Sequence, residues 1–168
     1  LAGSGRQRAI VGRCESALSA ASPLLVDRSS TVDVRLAAAD LVLADATLAS
    51  LLDGANRALI GAEVIQFMRA EPLGEGLWRL SGLLRGRGGS EGAIGQHAAG
   101  EDFVLLDDRI TTLDPRIVGD AASARIAAIG PGDAEAVSTP IAGAGTTGRP
   151  LAPVHGAARQ AGTGGITL

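Results

Sequence analysis

Between Glu63 and Leu80 the chain spells out a hairpin. Glu63-Val-Ile-Gln-Phe-Met68 is rich in strand formers and too short for an independent helix, Pro72, Gly74 and Gly76 supply turn chemistry, and Leu77-Trp-Arg-Leu80 returns. A hairpin needs further strands to cover its apolar face, and the sequence offers them. From Thr31, Val32, Val34 and Leu36 alternate with Asp33 and Arg35, the period of a strand buried on one side. A short strand can follow at Leu41 to Leu43, another falls at Phe103 to Leu106, and one more at Arg125 to Ile129. Asp45 and Thr47 are both plausible helix N-caps; behind them Leu48, Leu51 and Leu52 share a helical face before Gly54 offers a stop, which predicts one helix of about two turns near residues 46–53.

These patterns predict a mainly β fold, a compact twisted barrel or sandwich-like domain with one short helix and Gly/Pro-rich termini. Its core is expected to combine Val32, Val34, Leu36, Ile65, Phe67, Trp78, Leu80, Val104 and Leu106. Three regions follow from composition. Residues 1–30, rich in Gly, Ser, Ala and Arg, read as a flanking segment with a possible helical stretch from Ala9 to Ala20 and a break at Pro23. Residues 31–129 form the β-rich domain. Residues 130–168, crowded with Pro131, Pro140, Gly143, Gly145, Gly148, Pro150 and Pro153, read as a linker and the start of another β module. Leu1 in place of Met, and a last stretch that resembles a nascent strand, suggest an excised piece of a longer protein.

Composition excludes several chemistries. All 15 basic residues among the 168 are Arg, so neither a Walker A loop nor a Schiff-base lysine can be built. Phe67, Trp78 and Phe103 are too few for the stacking platforms of a single-strand binder, and a net charge of −3 advertises no nucleic acid. One cysteine, Cys14, makes no internal disulfide; His97 and His155 cannot alone close a structural zinc site. The apolar runs fall far short of the ~20 residues of a membrane span.

The sharpest short motif is Gly88-Gly-Ser-Glu-Gly92, a literal G-x-S-x-G. A nucleophile elbow needs a strand before it, a helix after it, and an acid and a histidine downstream. Here Gly and Ala follow, and the available partners would be Asp107 and His155. Ser90 therefore reads as the tip of an exposed, mobile loop whose replacement by Ala leaves stability unchanged. A dinucleotide fingerprint over Gly86 and Gly88 fails at Glu91, and Arg85-Gly-Arg-Gly-Gly89 is a single RGG-like copy without a neighbouring aromatic. Nothing in the spacing of Glu63, Glu71, Glu75 and Glu91 selects a hydrolytic carboxylate pair, and Asp102, Asp107, Asp108 and Asp114 do not form a calcium loop. His97 and His155 read as surface or hydrogen-bonding residues, and Cys14 as an exposed thiol in a polar region. No catalytic, cofactor-binding or metal-binding residue is expected. What remains is a structural loop, Arg85, Arg87, Glu91 and Glu101, in which at least one arginine turns inward toward Glu91, Glu101, Asp102 or backbone oxygens.

A longer stretch carries more information. Asn56-Arg-Ala-Leu-Ile-Gly-Ala-Glu-Val-Ile-Gln-Phe67, Ala70-Glu71, Trp78-Arg-Leu-Ser-Gly-Leu-Leu-Arg-Gly-Arg87 and His97-Ala-Ala-Gly-Glu-Asp-Phe-Val-Leu-Leu-Asp107 follow one another in an order that resembles the C-terminal part of the large tail-tip proteins of gene transfer agents and related tailed phages. The likeness runs from about Asp27 to Asp107. Pro150-Leu-Ala-Pro-Val-His155 resembles the opening of the fibronectin-like module that follows in that family, while Gly88-Gly-Ser-Glu91 departs from a bulkier loop. The resemblance implies a virion structural part, the C-terminal region of a baseplate hub, made in the bacterial cytoplasm and carried at a tail tip. Its partners would be other tail-tip or baseplate subunits, and fibres or the host surface, with homo-oligomerisation in the full-length protein. The glycosidase-like domain of such proteins lies upstream, so no activity is carried over to this segment. The competing expectation is a cell-wall carbohydrate-binding or hydrolytic β domain, for which exposed aromatics or convergent carboxylates would be needed.

Overall fold

The computed structural model describes residues 7–95, 97–111, 125–141, 159–160 and 166–167. Six strands, β1 (Val11–Cys14), β2 (Asp27–Leu36), β3 (Arg57–Ile60), β4 (Glu63–Gly74), β5 (Leu77–Arg87) and β6 (Asp102–Leu105), close into a barrel in the order β1-β2-β5-β4-β3-β6, with every pairing antiparallel. Closure leaves no free sheet edge in the barrel. The hairpin expected from Glu63 to Leu80 is β4–β5, and it is longer than its sequence pattern, because β5 continues through Arg87. The one α-helix among the described residues, α1 (Leu48–Leu52), begins at Thr47, whose hydroxyl accepts from the Ser50 N–H, and ends before Gly54 with φ +93°.

Side chains of alternating residues point into the barrel. Val32, Val34, Leu36, Ile65, Phe67 and Leu80 are buried there as expected, joined by Ala58, Ile60, Leu83 and Cys14, while Trp78 packs half-buried against them. Two expectations fail. In β6 it is Phe103 and Leu105 that are buried, whereas Val104 and Leu106 are only half-buried. In a four-residue run with apolar side chains on both parities, the pairing partners set the phase, and a slip of one residue exchanges the faces. The helical stretch from Ala9 to Ala20 is instead β1 and the loop after it, and β1 lies between β2 and β6. Gly12 makes this possible: a Cβ there would lie 2.3 Å from the Arg35 carbonyl oxygen, so only glycine lets β1 approach β2. The barrel thus begins well inside the segment 1–30 that composition set apart.

The two ends of the barrel are closed differently. Residues 37–56 cross one end and plug it with Leu41, Leu43 and Leu51; Leu41–Leu43 is not a strand. Asn56 fixes this plug by donating to the carbonyls of Ala44 and Phe67, and Gln66 donates to those of Leu51 and Ala55. Charged side chains close the other end. Beyond the barrel, β7 (Arg125–Ala128) pairs with β8 (Val137–Pro140), and β9 (Arg159–Gln160) with β10 (Ile166–Thr167). The stretch from Pro150 to His155 lies outside the described residues, as does Asp114. No helix among the described residues is long and apolar enough to cross a membrane.

Candidate functional site

At the charged end, β4 begins with Glu63 on the same inward parity as Ile65 and Phe67, and the neighbouring β5 presents Arg85. Both side chains are completely buried. They meet fork to fork: Arg85 Nε donates to Glu63 Oε1 and Nη2 to Oε2, each at 2.8 Å. The register of β4 and β5 shifts between Val64 and Gln66, and Gly86 occupies the irregularity with φ +60°. Its N–H adds a third donor to Glu63 at 2.7 Å, and a Cβ on it would lie 2.9 Å from the Glu91 Cα, so conformation and space both require glycine.

Two loops complete the cluster. The β1–β2 loop supplies the Ser19 carbonyl, which accepts from Arg85 Nη1 at 2.7 Å, and the first residue of β2 is Asp27, whose Oδ2 lies 3.9 Å from the same nitrogen and is the one buried side-chain oxygen without a hydrogen-bond partner among the described residues. Asp27 Oδ1 accepts from the N–H groups of Ser29 and Ser30 and from the Ser29 hydroxyl. The segment before β6 supplies His97, buried, with Nε2 2.7 Å from Glu63 Oε2 and Nδ1 2.6 Å from Glu101 Oε2.

Burial pushes the Glu63 carboxyl up, but hydrogen bonds from Arg85, the Gly86 N–H and His97, with the Arg85 charge, outweigh it and hold the group below the usual carboxylate range. A folded-state pKa below the unfolded one contributes stability that is present above the ordinary glutamate range and lost as pH falls through the depressed value. The domain is therefore expected to lose thermal stability in acid, with a smaller loss in Glu63→Gln, as melting temperatures measured from neutral to acidic pH will show.

The structural-loop residues part company here. Arg85 is in strand β5 and turns inward, onto Glu63 and the Ser19 backbone carbonyl, not onto Glu91, Glu101 or Asp102. Arg87 ends β5 half-buried, its carbonyl capped by Ser90, and its guanidinium forms no ion pair among the described residues. Glu91 opens the 3-10 turn Glu91–Ala93 and pairs with no arginine there, whereas Glu101 joins the cluster through His97.

Ser90 is not an exposed tip. It is 6% exposed, and its hydroxyl donates to the Arg87 carbonyl at 2.8 Å and accepts from the Val64 N–H at 2.9 Å, holding the turn against the shifted register of β4. The expectation that Ser90→Ala is silent gives way to a loss of about 1–3 kcal/mol, the cost of orphaning a buried donor, to be read from urea denaturation. Cys14 is likewise core, not an exposed thiol. Burial first, then the charges of Glu101 and Asp102, push its thiol up to about 12, so it is inert at neutral pH.

Outside the barrel a groove of about 660 Å³ crosses β1, floored by Val11, Gly12 and Val104. The ion pairs Arg13–Asp102 and Arg35–Glu15 line it, so its arginines already have carboxylate partners. Among the described residues no group of three or more His, Cys, Asp or Glu is placed to hold a metal ion.

The charged cluster draws on β2, β4, β5 and the approach to β6, and all of these fall within one sequence family. The model of the family described as Rcc01698-like, C-terminal, matches residues 9–104. The chain belongs to that family. The matched stretch starts two residues before β1 and ends inside β6, so the Rcc01698-like C-terminal domain coincides with the six-stranded barrel and its buried cluster. No match to the chain was found among curated proteins.

The sequence pattern named Glu63 only among carboxylates that form no hydrolytic pair and His97 only as a surface or hydrogen-bonding residue; the structure makes both central to the cluster, His97 by its hydrogen bonds. Glu63 had a signal: it shares the inward parity of Ile65 and Phe67, where an acid without a partner would be costly. His97 had none, since its two acceptors come together only when the barrel closes.

Proposed function

We propose that this chain is a structural assembly module of a phage-like or gene transfer agent tail tip, the C-terminal region of a baseplate hub, which positions host-contact or fibre-attachment elements. The observation that carries the reading is the family match over the whole barrel, together with the ordered resemblance from Asn56 to Asp107. The use of the charged groups is consistent with it. Glu63, Arg85, His97 and Ser90 are bound to one another or to backbone and so stiffen a barrel mouth, as a part that transmits position must be stiff. On this reading the protein is made in the bacterial cytoplasm, travels in the particle, and contacts other tail-tip subunits.

Deleting residues 9–104 in frame from the full-length protein tests it. Tailed particles counted by electron microscopy are expected to lose their tips or fail to assemble. Intact particles in normal number, with loss of binding to or cleavage of cell-wall glycan, would overturn the reading in favour of a carbohydrate-active domain.

A further inference from the structure

We infer that residues 97–101 form a proton-dependent latch on the barrel mouth, closed when the His97 ring carries protons on both nitrogens and loosened when it loses one. The geometry carries the inference. Nε2 faces a Glu63 oxygen at 2.7 Å and Nδ1 a Glu101 oxygen at 2.6 Å. A neutral imidazole has one N–H, so it can donate to only one carboxylate and turns a lone pair toward the other at hydrogen-bond distance. Only the imidazolium donates to both, and the ring itself is buried.

Among the described residues the charged groups in contact with the His97 ring are Glu63 from β4 and Glu101 beside β6; Glu63 in turn meets Arg85 from β5, Arg85 faces Asp27 from β2, and Glu101 and Asp102 bear on Cys14 from β1. Arg85 holds Glu63 in the ionised form, so a carboxylate stays in front of Nε2. An unperturbed histidine is the side chain that exchanges its proton between about pH 5 and pH 8. Among the described residues the segment it holds is also fastened by two backbone hydrogen bonds, Gly100 N–H to the Cys14 carbonyl at 2.7 Å and Cys14 N–H to the Glu101 carbonyl at 2.9 Å. Losing the proton therefore removes one of few fastenings. The strands behind it keep their ladders, so the change is confined to the mouth.

The test is amide hydrogen exchange on the whole chain in a His155→Gln background, corrected for the intrinsic pH dependence of exchange. Protection of the Gly100 amide is expected to fall about tenfold from about pH 5.5 to about pH 8.5, the scale of one charge-assisted hydrogen bond. The Phe67 amide in β4 should stay unchanged, and His97→Gln should flatten the Gly100 response. Should His97→Gln fail to fold, the ring nitrogens of His97 are followed by nitrogen NMR: two protonated nitrogens at the acidic end and loss of one proton in step with Gly100 support the latch. A flat Gly100 response, an equal fall in His97→Gln, or a neutral ring throughout overturns it.

Discussion

Replacing Arg85 by Ala is expected to cost about 3–5 kcal/mol, the loss found when one partner of a buried ion pair is removed and the other stays. In a domain of this size that is a fall in Tm of roughly 15 °C or more. The substitution leaves Glu63 ionised in a fully buried position with only the Gly86 N–H and His97 among the described residues to hold it, takes the Arg85 donor from the Ser19 carbonyl, and removes the guanidinium that lies 3.9 Å from Asp27. Glu63→Ala should be comparably severe for the opposite reason, stranding the guanidinium. The double replacement Arg85→Met with Glu63→Leu removes both charges together and should be milder than either single Ala variant, since no orphan remains. Urea and thermal melting of the four variants against wild type decide the matter. Arg87→Ala, whose guanidinium forms no ion pair among the described residues, should lie within about 0.5 kcal/mol of wild type. An Arg85→Ala protein that melts like wild type would remove the cluster from any structural role.

The second large effect separates two adjacent residues. Phe103→Ala should cost about 3–5 kcal/mol, because the ring is wholly buried among Ile60, Ile65 and the other inward residues and no neighbour can fill so large a gap. Val104→Ala, one residue on and on the opposite face of β6, should cost about 1 kcal/mol or less. The ratio is informative because the two residues exchange roles if β6 is shifted by one position. Equal losses, or a larger loss at Val104, would mean that β6 pairs with β1 and β3 in a different register.

How much of this was legible beforehand depended on whether the deciding contacts were local. Strands β2, β4 and β5 could be read because each carries its own alternation or turn chemistry, and α1 because Thr47 and Gly54 bracket it. Strand β1 could not: Val-Gly-Arg-Cys has almost no strand signature, and its conformation is imposed by partners on both sides, β2 and β6, whose residues lie far along the chain. The phase of β6 was hidden for a related reason, since Phe-Val-Leu-Leu is apolar on both faces and only pairing selects one. Of the charged site, the sequence shows only that at least one of Arg85 and Arg87 turns inward, and it points to Glu91, Glu101, Asp102 or backbone oxygens as the partners. The true partner is on the neighbouring strand β4, beside the register shift and 22 residues earlier. An acid at the head of an inward-facing strand row and an arginine near the end of its neighbour are, in retrospect, a pair that a hairpin would bring together.

The proposal that this barrel is a part of a tail tip is tested most directly by cryo-electron microscopy of any tailed particles made by the organism that encodes it. The account predicts density at the distal end of the tail into which a closed six-stranded antiparallel barrel fits, with the β4–β5 hairpin and the buried Arg85–Glu63 pair recognisable. The same position should be empty or disordered in particles carrying Arg85→Ala. Particles whose tips contain no such barrel, with the protein recovered only in the cell envelope or the medium, would contradict it.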